Sequence, residues 1–161
     1  MNLTIRRAVD SDEAALAVLD RNCWSLQTDV SPQSEPGQAF FGAWRRPEDV
    51  LVASEPGAVV GWLKLAPPTP LASNSHVQQI QGLGVDPARR RAGIARALLA
   101  ARVDLARRQR AHKVSLRVLG TNDPARRLYK SAGFVVEGVL TDEFFLGGRY
   151  VDDYLLAMPL D

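Results

Sequence analysis

Val85-Asp86-Pro87-Ala88-Arg89-Arg90-Arg91-Ala92-Gly93-Ile94-Ala95-Arg96 is the stretch on which the fold turns. Upstream, His76 to Val85 reads as a strand, and Asp86-Pro87 breaks it. Downstream, a helix is expected from about Ala92 to Arg110, with Ile94, Leu98, Ala101 and Leu105 on one face. The first turn of a helix leaves backbone N–H groups unpaired and carries a partial positive charge. Gly93 and Ala95 keep side chains away from those groups, and the arginines add charge-assisted contacts, so the junction suits an anion such as a phosphate. The plain alternative is an ordinary helix start with small residues for close packing. The loop is not GxxxxGK[ST], so it is no Walker A loop. It also lacks GxGxxG after its strand, which argues against a dinucleotide-binding fold.

Outward from this point, strands and helices alternate. Leu3 and Ile5 alternate with Thr4 and Arg6 as a first strand, and Asp10 or Ser11 is a candidate cap for a helix through Ala14, Ala15, Val18 and Leu19. Residues 24–42 read as loop, with a further short helix expected through Phe40, Phe41 and Trp44. Val50–Ala53 and Val59–Leu65 are strands joined at Glu55-Pro56-Gly57, and Pro67-Pro68-Thr69-Pro70 must lie outside the sheet. Val114, Leu116 and Val118 mark a buried strand. Asn122 or Asp123 caps a short helix that Gly133 ends. Phe134–Val139 and Tyr150–Met158 are the last strands, turning at Gly147-Gly148. The order indicates an α/β or α+β fold around a mixed sheet. Without a repeat or a dividing linker, residues 1–161 are expected to form one domain.

Composition narrows the function classes. A chain of 161 residues is of a length that suits one domain. An apolar share of 46% and a charged share of 24% exclude disordered and low-complexity classes. The N-terminal MNLTIRRAVDSDEAALAVLD has no apolar run of the signal-peptide kind, and no stretch nears the ~20 apolar residues of a membrane span. Cys23 is the one cysteine, and His76 and His112 lie far apart, so neither a disulfide nor a metal site is expected. A soluble cytoplasmic domain with no membrane partner is the expectation.

The net charge of +2 hides an asymmetry. Between Arg89 and Lys130 stand eleven arginines and two lysines against Asp104 and Asp123, a local balance of +11. Such a block points to an anionic partner, or else to a solvated helix face. The nucleic-acid alternative, a binding module using the Arg89–Arg110 block, is disfavoured because Tyr129 is the only aromatic residue between Arg89 and Lys130.

Two motifs then carry a resemblance. Val85-x-Pro87 followed by Arg90-x-x-Gly93-x-Ala95 resembles the pyrophosphate-binding motif of the GNAT N-acetyltransferase superfamily, Gln/Arg-x-x-Gly-x-Gly/Ala. Asn122-x-x-Ala125-x-x-Leu128-Tyr129-x-x-x-Gly133-Phe134 resembles its second motif, in the expected order and separation. Glu137-Gly138-Val139 and Gly148-Arg149-Tyr150-Val151-Asp152 resemble the amino-acid and phosphinothricin-type branch. The resemblance covers the chain from His76 onward. It implies a mixed, mostly antiparallel central sheet, splayed after the fourth strand and flanked by about four helices.

It further implies an enzyme that moves an acetyl group from the cosubstrate acetyl-CoA to a primary amine of a small molecule, such as an amino acid or amino-acid-like xenobiotic. A protein N-terminus or lysine as acceptor stays open, as does a homodimer. By the same resemblance, the backbone of Arg90, Arg91, Ala92, Gly93, Ile94, Ala95 and Arg96 holds the pyrophosphate. Leu83, Gly84 and Val85 pair with the pantetheine arm like an added strand, and a backbone N–H near Val85 polarises the thioester carbonyl. Asn122 is both a cap and a cofactor contact. Tyr129 is the implied catalytic residue, because a phenol can protonate the leaving thiolate; the alternative is a tyrosine that packs its helix on the sheet. The amine attacks directly, so Cys23 is expected to be a partly buried helix residue and no nucleophile.

No base emerges. The strand Val77-Gln78-Gln79-Ile80-Gln81-Gly82-Leu83 holds no carboxylate, where many family members place a glutamate, and glutamine accepts no proton at neutral pH. His76, Glu137, Asp142 and Glu143 are candidates without a decisive feature. The acceptor pocket is expected between the early helices and the last hairpin, with Trp24, Phe40, Phe41, Trp44 and Trp62 as candidate walls. Asp142, Glu143, Asp152 and Asp153 are candidate attractors for a cationic amine. Asp152 has the alternative role of holding the hairpin turn through Arg149.

Overall fold

The computed structural model describes residues 2–161. Among them, the strands are β1 (Thr4–Arg7), β2 (Val50–Glu55), β3 (Ala58–Ala66), β4 (Val77–Val85), β5 (Lys113–Leu119), β6 (Val135–Leu146) and β7 (Arg149–Pro159). The helices are α1 (Glu13–Cys23), α2 (Ile94–Arg108) and α3 (Asp123–Ala132), with short 3-10 turns between elements. The strands form one sheet in the order β1-β2-β3-β4-β5-β7-β6. Neighbours are antiparallel except β4 and β5, which the α2 crossover makes parallel.

The parallel pair is also where the sheet opens. β4 and β5 pair only from Val77↔Lys113 to Ile80↔Leu116. Beyond that, β4 stays with β3 as far as Gly61↔Val85, while β5 stays with β7 as far as Leu119↔Asp153. Gln81 to Val85 therefore have no neighbour on their β5 side. The splay lies after the fourth strand, as the resemblance implies.

Each face of the sheet buries a helix. Leu51, Ala53, Leu63, Leu65 and Ile80 pack with Ile94, Leu98 and Val103 of α2, joined by Tyr129 and Phe134. Val50, Val52 and Trp62 pack with Leu16 and Leu19 of α1 and with Phe40. β2 thus faces apolar layers on both sides, which is why its sequence is a continuous apolar run. The apolar stripe of α2 departs from expectation. It runs through Ile94, Leu98, Leu99, Arg102, Val103 and Ala106, and Ala101 and Leu105 are only half-buried. Arg102 is tolerated inside because its guanidinium donates to the Leu65 carbonyl at 3.2 Å, which partly compensates the cost of burying a charge.

Several local expectations are corrected. The α-helices number three among the described residues, because no helix forms through Phe40, Phe41 and Trp44. There the Glu13 carboxylate accepts the Phe40 and Phe41 N–H groups at 2.6 and 2.9 Å, and Gly42 bridges to Arg45. Side-chain acceptors have replaced helical carbonyls. Neither Asp10 nor Ser11 caps α1. Asp12 ends a 3-10 turn instead, accepting the Val9 N–H at 2.8 Å and both Arg6 guanidinium nitrogens at 2.8 Å. β6 runs on to Leu146, well past Val139, because a bulge between Leu140 and Phe144 lets it rejoin β7.

Candidate functional site

Below the splay lies an open cleft of about 1700 Å³, lined by α1, the segment after it, the free half of β4, the loop into α2, the end of β5 and the start of α3. Its basic wall is built where β4 ends and the chain turns toward α2. The Asp86 N–H donates to the Val60 carbonyl at 2.9 Å, and the Asp86 carboxylate accepts the Ala88 N–H at 2.9 Å. Pro87 begins a 3-10 turn, and the backbone then enters the left-handed region at Arg91 (φ 64°) and Gly93 (φ 78°). These reversals set the start of α2 at Ile94, two residues later than expected. A methyl at Gly93 would meet nothing within 4 Å, so the space beside the first turn is open. Arg89, Arg90, Arg91, Gly93, Ile94, Ala95 and Arg96 line this end of the cleft. Ala92 does not; it packs on the core beneath α2.

The opposite wall is α3. The Asn122 side chain accepts the Ala125 N–H at 3.3 Å, the cap expected from the sequence. Gly133 (φ 103°) closes the helix in the left-handed conformation that glycine adopts without strain. Tyr129 is buried, with its ring edge-on to Phe134 at 5.7 Å between centroids. Its hydroxyl makes no hydrogen bond among the described residues, and burial pushes its phenol well above the ordinary value. Tyr129, Asn122, Leu83, Gly84 and Val85 all line the cleft. Of the site residues expected from the sequence, Ala92 alone is left out.

The far end of the cleft lies between α1 and β3. Cys23 Sγ donates to the Val85 carbonyl at 3.2 Å. Burial pushes its thiol up to about 11, which keeps it protonated and unreactive. Trp62 is 5% exposed, and its indole Nε1–H has no partner among the described residues. Arg45 donates from Nε to the Phe40 carbonyl at 2.7 Å. Its guanidinium also stacks 3.7 Å above the Phe40 ring, a cation–π contact. Asp20 lies 3.5 Å from Arg45, and burial raises its carboxyl from the ordinary value despite that charge. Gln79 accepts from Gln81 at 3.2 Å where a strand carboxylate was sought.

The remaining candidates separate. Trp24, Phe40 and Trp62 line the cleft; Phe41 does not, and Trp44 stands 89% exposed. Asp153 lines it, buried and held by Arg117 at 2.5 Å. Glu143 faces Arg117 at 3.7 Å and Glu137 faces Lys113 at 3.1 Å, both outside the cleft. Asp152 accepts the Asp142 N–H at 2.9 Å, so it holds the β6 bulge and not the turn through Arg149. His76 sits against His112, also outside. Sequence reasoning missed Asp20, Arg45 and Arg117. Asp20 looks like a residue on the solvated face of α1, and nothing local announces the loop that covers it.

Known proteins share this arrangement. The chain is 32% identical to mycothiol acetyltransferase of Acidimicrobium ferrooxidans over 120 residues, which are 73% of this chain and 36% of that relative. The chain thus spans about a third of that curated relative's length. It superimposes on smu.2055 of Streptococcus mutans with a TM-score of 0.86 at 29% identity, over 98% of this chain and 99% of that one. It shares its fold with yncA of Salmonella typhimurium, whose structure holds its cofactor acetyl-CoA (TM-score 0.82, 22% identity, 100% of this chain and 95% of that one). Residues 15–134, from within α1 through the Arg-Gly loop to the end of α3, match the acetyltransferase (GNAT) family. With that match spanning both motifs and both splayed strands, the chain belongs to the GNAT acetyltransferase family.

Proposed function

We propose that the protein transfers an acetyl group from acetyl-CoA to a primary amine of a small molecule, within a ternary complex. One observation carries the proposal: the unpaired edge of β4, the open turn at Gly93 and Tyr129 of α3 line a single cleft. The residues present fit the cosubstrate. Backbone N–H groups from Arg91 to Arg96, with Arg90 beside them, would hold its diphosphate at the positive end of α2. Leu83 to Val85 would pair with its pantetheine arm. When bound, it supplies an activated acyl carbon bearing a thiolate leaving group.

The side chains around that carbon define the rest. A backbone N–H near Val85 stabilises negative charge on the carbonyl oxygen. Cys23 holds the Val85 carbonyl, orients this segment and stays protonated. Tyr129, neutral because it is buried, donates its proton or a hydrogen bond to the departing sulfur.

The Arg89–Arg110 block does not support a nucleic-acid surface. Arg102 is buried, Arg89 pairs with Glu55 at 3.1 Å, and Arg107 pairs with Asp104 at 3.4 Å. Calorimetry with acetyl-CoA, followed by thiol release against a panel of amines, tests the proposal. Saturable heat and amine-dependent thiol are expected; absence of both on folded protein overturns it.

A further inference from the structure

The acceptor must shed a proton before it attacks, since an alkylammonium has a pKa of about 10, and β4 offers Gln79 and Gln81 where a base would stand. Three carboxylates line the cleft: Asp20, Asp29 and Asp153. Asp153 is committed to Arg117 at 2.5 Å, and Asp29 lies in the loop after α1, accepting the Ser31 N–H at 2.9 Å. Among the described residues, Asp20 has only the long contact of 3.5 Å to Arg45, whose guanidinium is already tied to the Phe40 carbonyl and ring.

Asp20 is also well placed. It lies three residues before Cys23 on α1, so the two side chains share a helix face. Cys23 Sγ stands 3.3 Å, and Trp62 Nε1 2.7 Å, from the point where a side chain at Gly84 would begin. The Trp62 N–H is buried beneath Gly84 without a partner among the described residues, so the Cys23 side of the cleft floor is apolar and closed, and the carboxylate that lines the open cleft from α1 is Asp20.

We propose that Asp20 is the general base of the transfer: its carboxylate receives the acceptor's ammonium and takes one proton from it. The inference rests on the function proposed above. The N–H bond of the ammonium breaks and an O–H bond forms on Asp20. The freed nitrogen lone pair forms the C–N bond as the C–S bond breaks. The second nitrogen proton passes from the N-protonated amide to water, giving the neutral amide; the sulfur is protonated by Tyr129, and solvent restores both side chains. The groups facing Asp20 are Arg45, which favours its ionised form, and Asp29, which opposes it. On its own helix, Cys23 three residues on stays a neutral thiol, raised chiefly by burial.

The test compares wild type with Asp20→Asn and Asp20→Glu, using methylamine, which is protonated at neutral pH, and hydroxylamine, which is not. Uncatalysed rates are subtracted, and acetyl-CoA binding is measured separately by calorimetry. Asp20→Asn should bind acetyl-CoA as wild type does and keep its transfer to hydroxylamine. It should lose about 100-fold with methylamine, its rate recovering only as bulk methylamine deprotonates around pH 10; Asp20→Glu should restore part of the loss. An unchanged methylamine rate, equal losses with both nucleophiles, or a wild type that binds acetyl-CoA yet uses neither nucleophile overturns the role of Asp20. A wild type that fails to bind acetyl-CoA overturns the proposed function itself.

Discussion

The indole of Trp62 occupies the space that any side chain at Gly82 would need: a methyl built there would stand 2.4 Å from Cη2 and 2.6 Å from Cζ3 of the ring. Trp62 is buried between α1 and the sheet, and its ring is rigid, so it has no free end to swing aside. Gly82→Ala should therefore destabilise the protein by about 1–3 kcal/mol through overpacking. A urea titration reads the change as a lower midpoint at constant slope. An unshifted midpoint would show that the ring relocates freely.

The junction of β4 with α2 separates two effects of substitution. Gly93 has a left-handed backbone (φ 78°) and open space beside it. Gly93→Ala meets only the conformational cost, about 1–2 kcal/mol. Gly93→Glu adds a carboxylate at the end of α2 where a diphosphate is proposed to bind. Calorimetry should find acetyl-CoA binding reduced but measurable for alanine and absent for glutamate. Equal loss in both would place the effect in the backbone and not in the charge.

The early turn carries an acid-sensitive tie. The Arg6 guanidinium, and after it the Val9 N–H, hold the Asp12 carboxyl below the ordinary carboxylate range. A lowered folded pKa gives stability that is complete above about pH 4 and is lost as pH falls through the folded value. Asp12→Asn should cost about 1–3 kcal/mol at neutral pH, since it leaves Arg6 and Val9 without a full acceptor. In thermal melts the gap to wild type should narrow below about pH 4. A gap that persists in acid would mean that the carboxylate's charge does not hold the turn.

The two motifs were legible because each is written in consecutive residues. Asp86-Pro87 stops a strand, Gly93 permits a left-handed turn, and Asn122 and Gly133 bound a helix by capping chemistry that acts locally along the chain. The splay after the fourth strand was legible only through the resemblance. Phe40 and Trp44 misled because their apolar character suggested a helix, while the decisive acceptor, Glu13, lies 27 residues away from Phe40. Asp20 was illegible for a similar reason. Its partial burial comes from the segment after α1 folding back over it, and no local spacing encodes that. The stripe on α2 shifted because Arg102 is buried, which depends on a carbonyl at Leu65 in β3.

Tyr129 offers the most direct test of the transfer chemistry. Its ring packs beside Phe134, while its hydroxyl has no protein partner among the described residues. Tyr129→Phe keeps the ring and deletes only that hydroxyl, so stability should stay within about 0.5 kcal/mol of wild type. Acetyl-CoA affinity should also hold, because the proposed grip lies in the backbone of α2 and β4. Turnover should fall by about 100-fold, since the departing thiolate loses its donor. Burial raises the phenol, so the wild-type donor stays protonated through the neutral range and Tyr129 adds no falling limb to the pH profile there. Steady-state rates and calorimetry on the same preparation decide the matter. A full rate in Tyr129→Phe would assign the proton to solvent and leave Tyr129 as packing for α3.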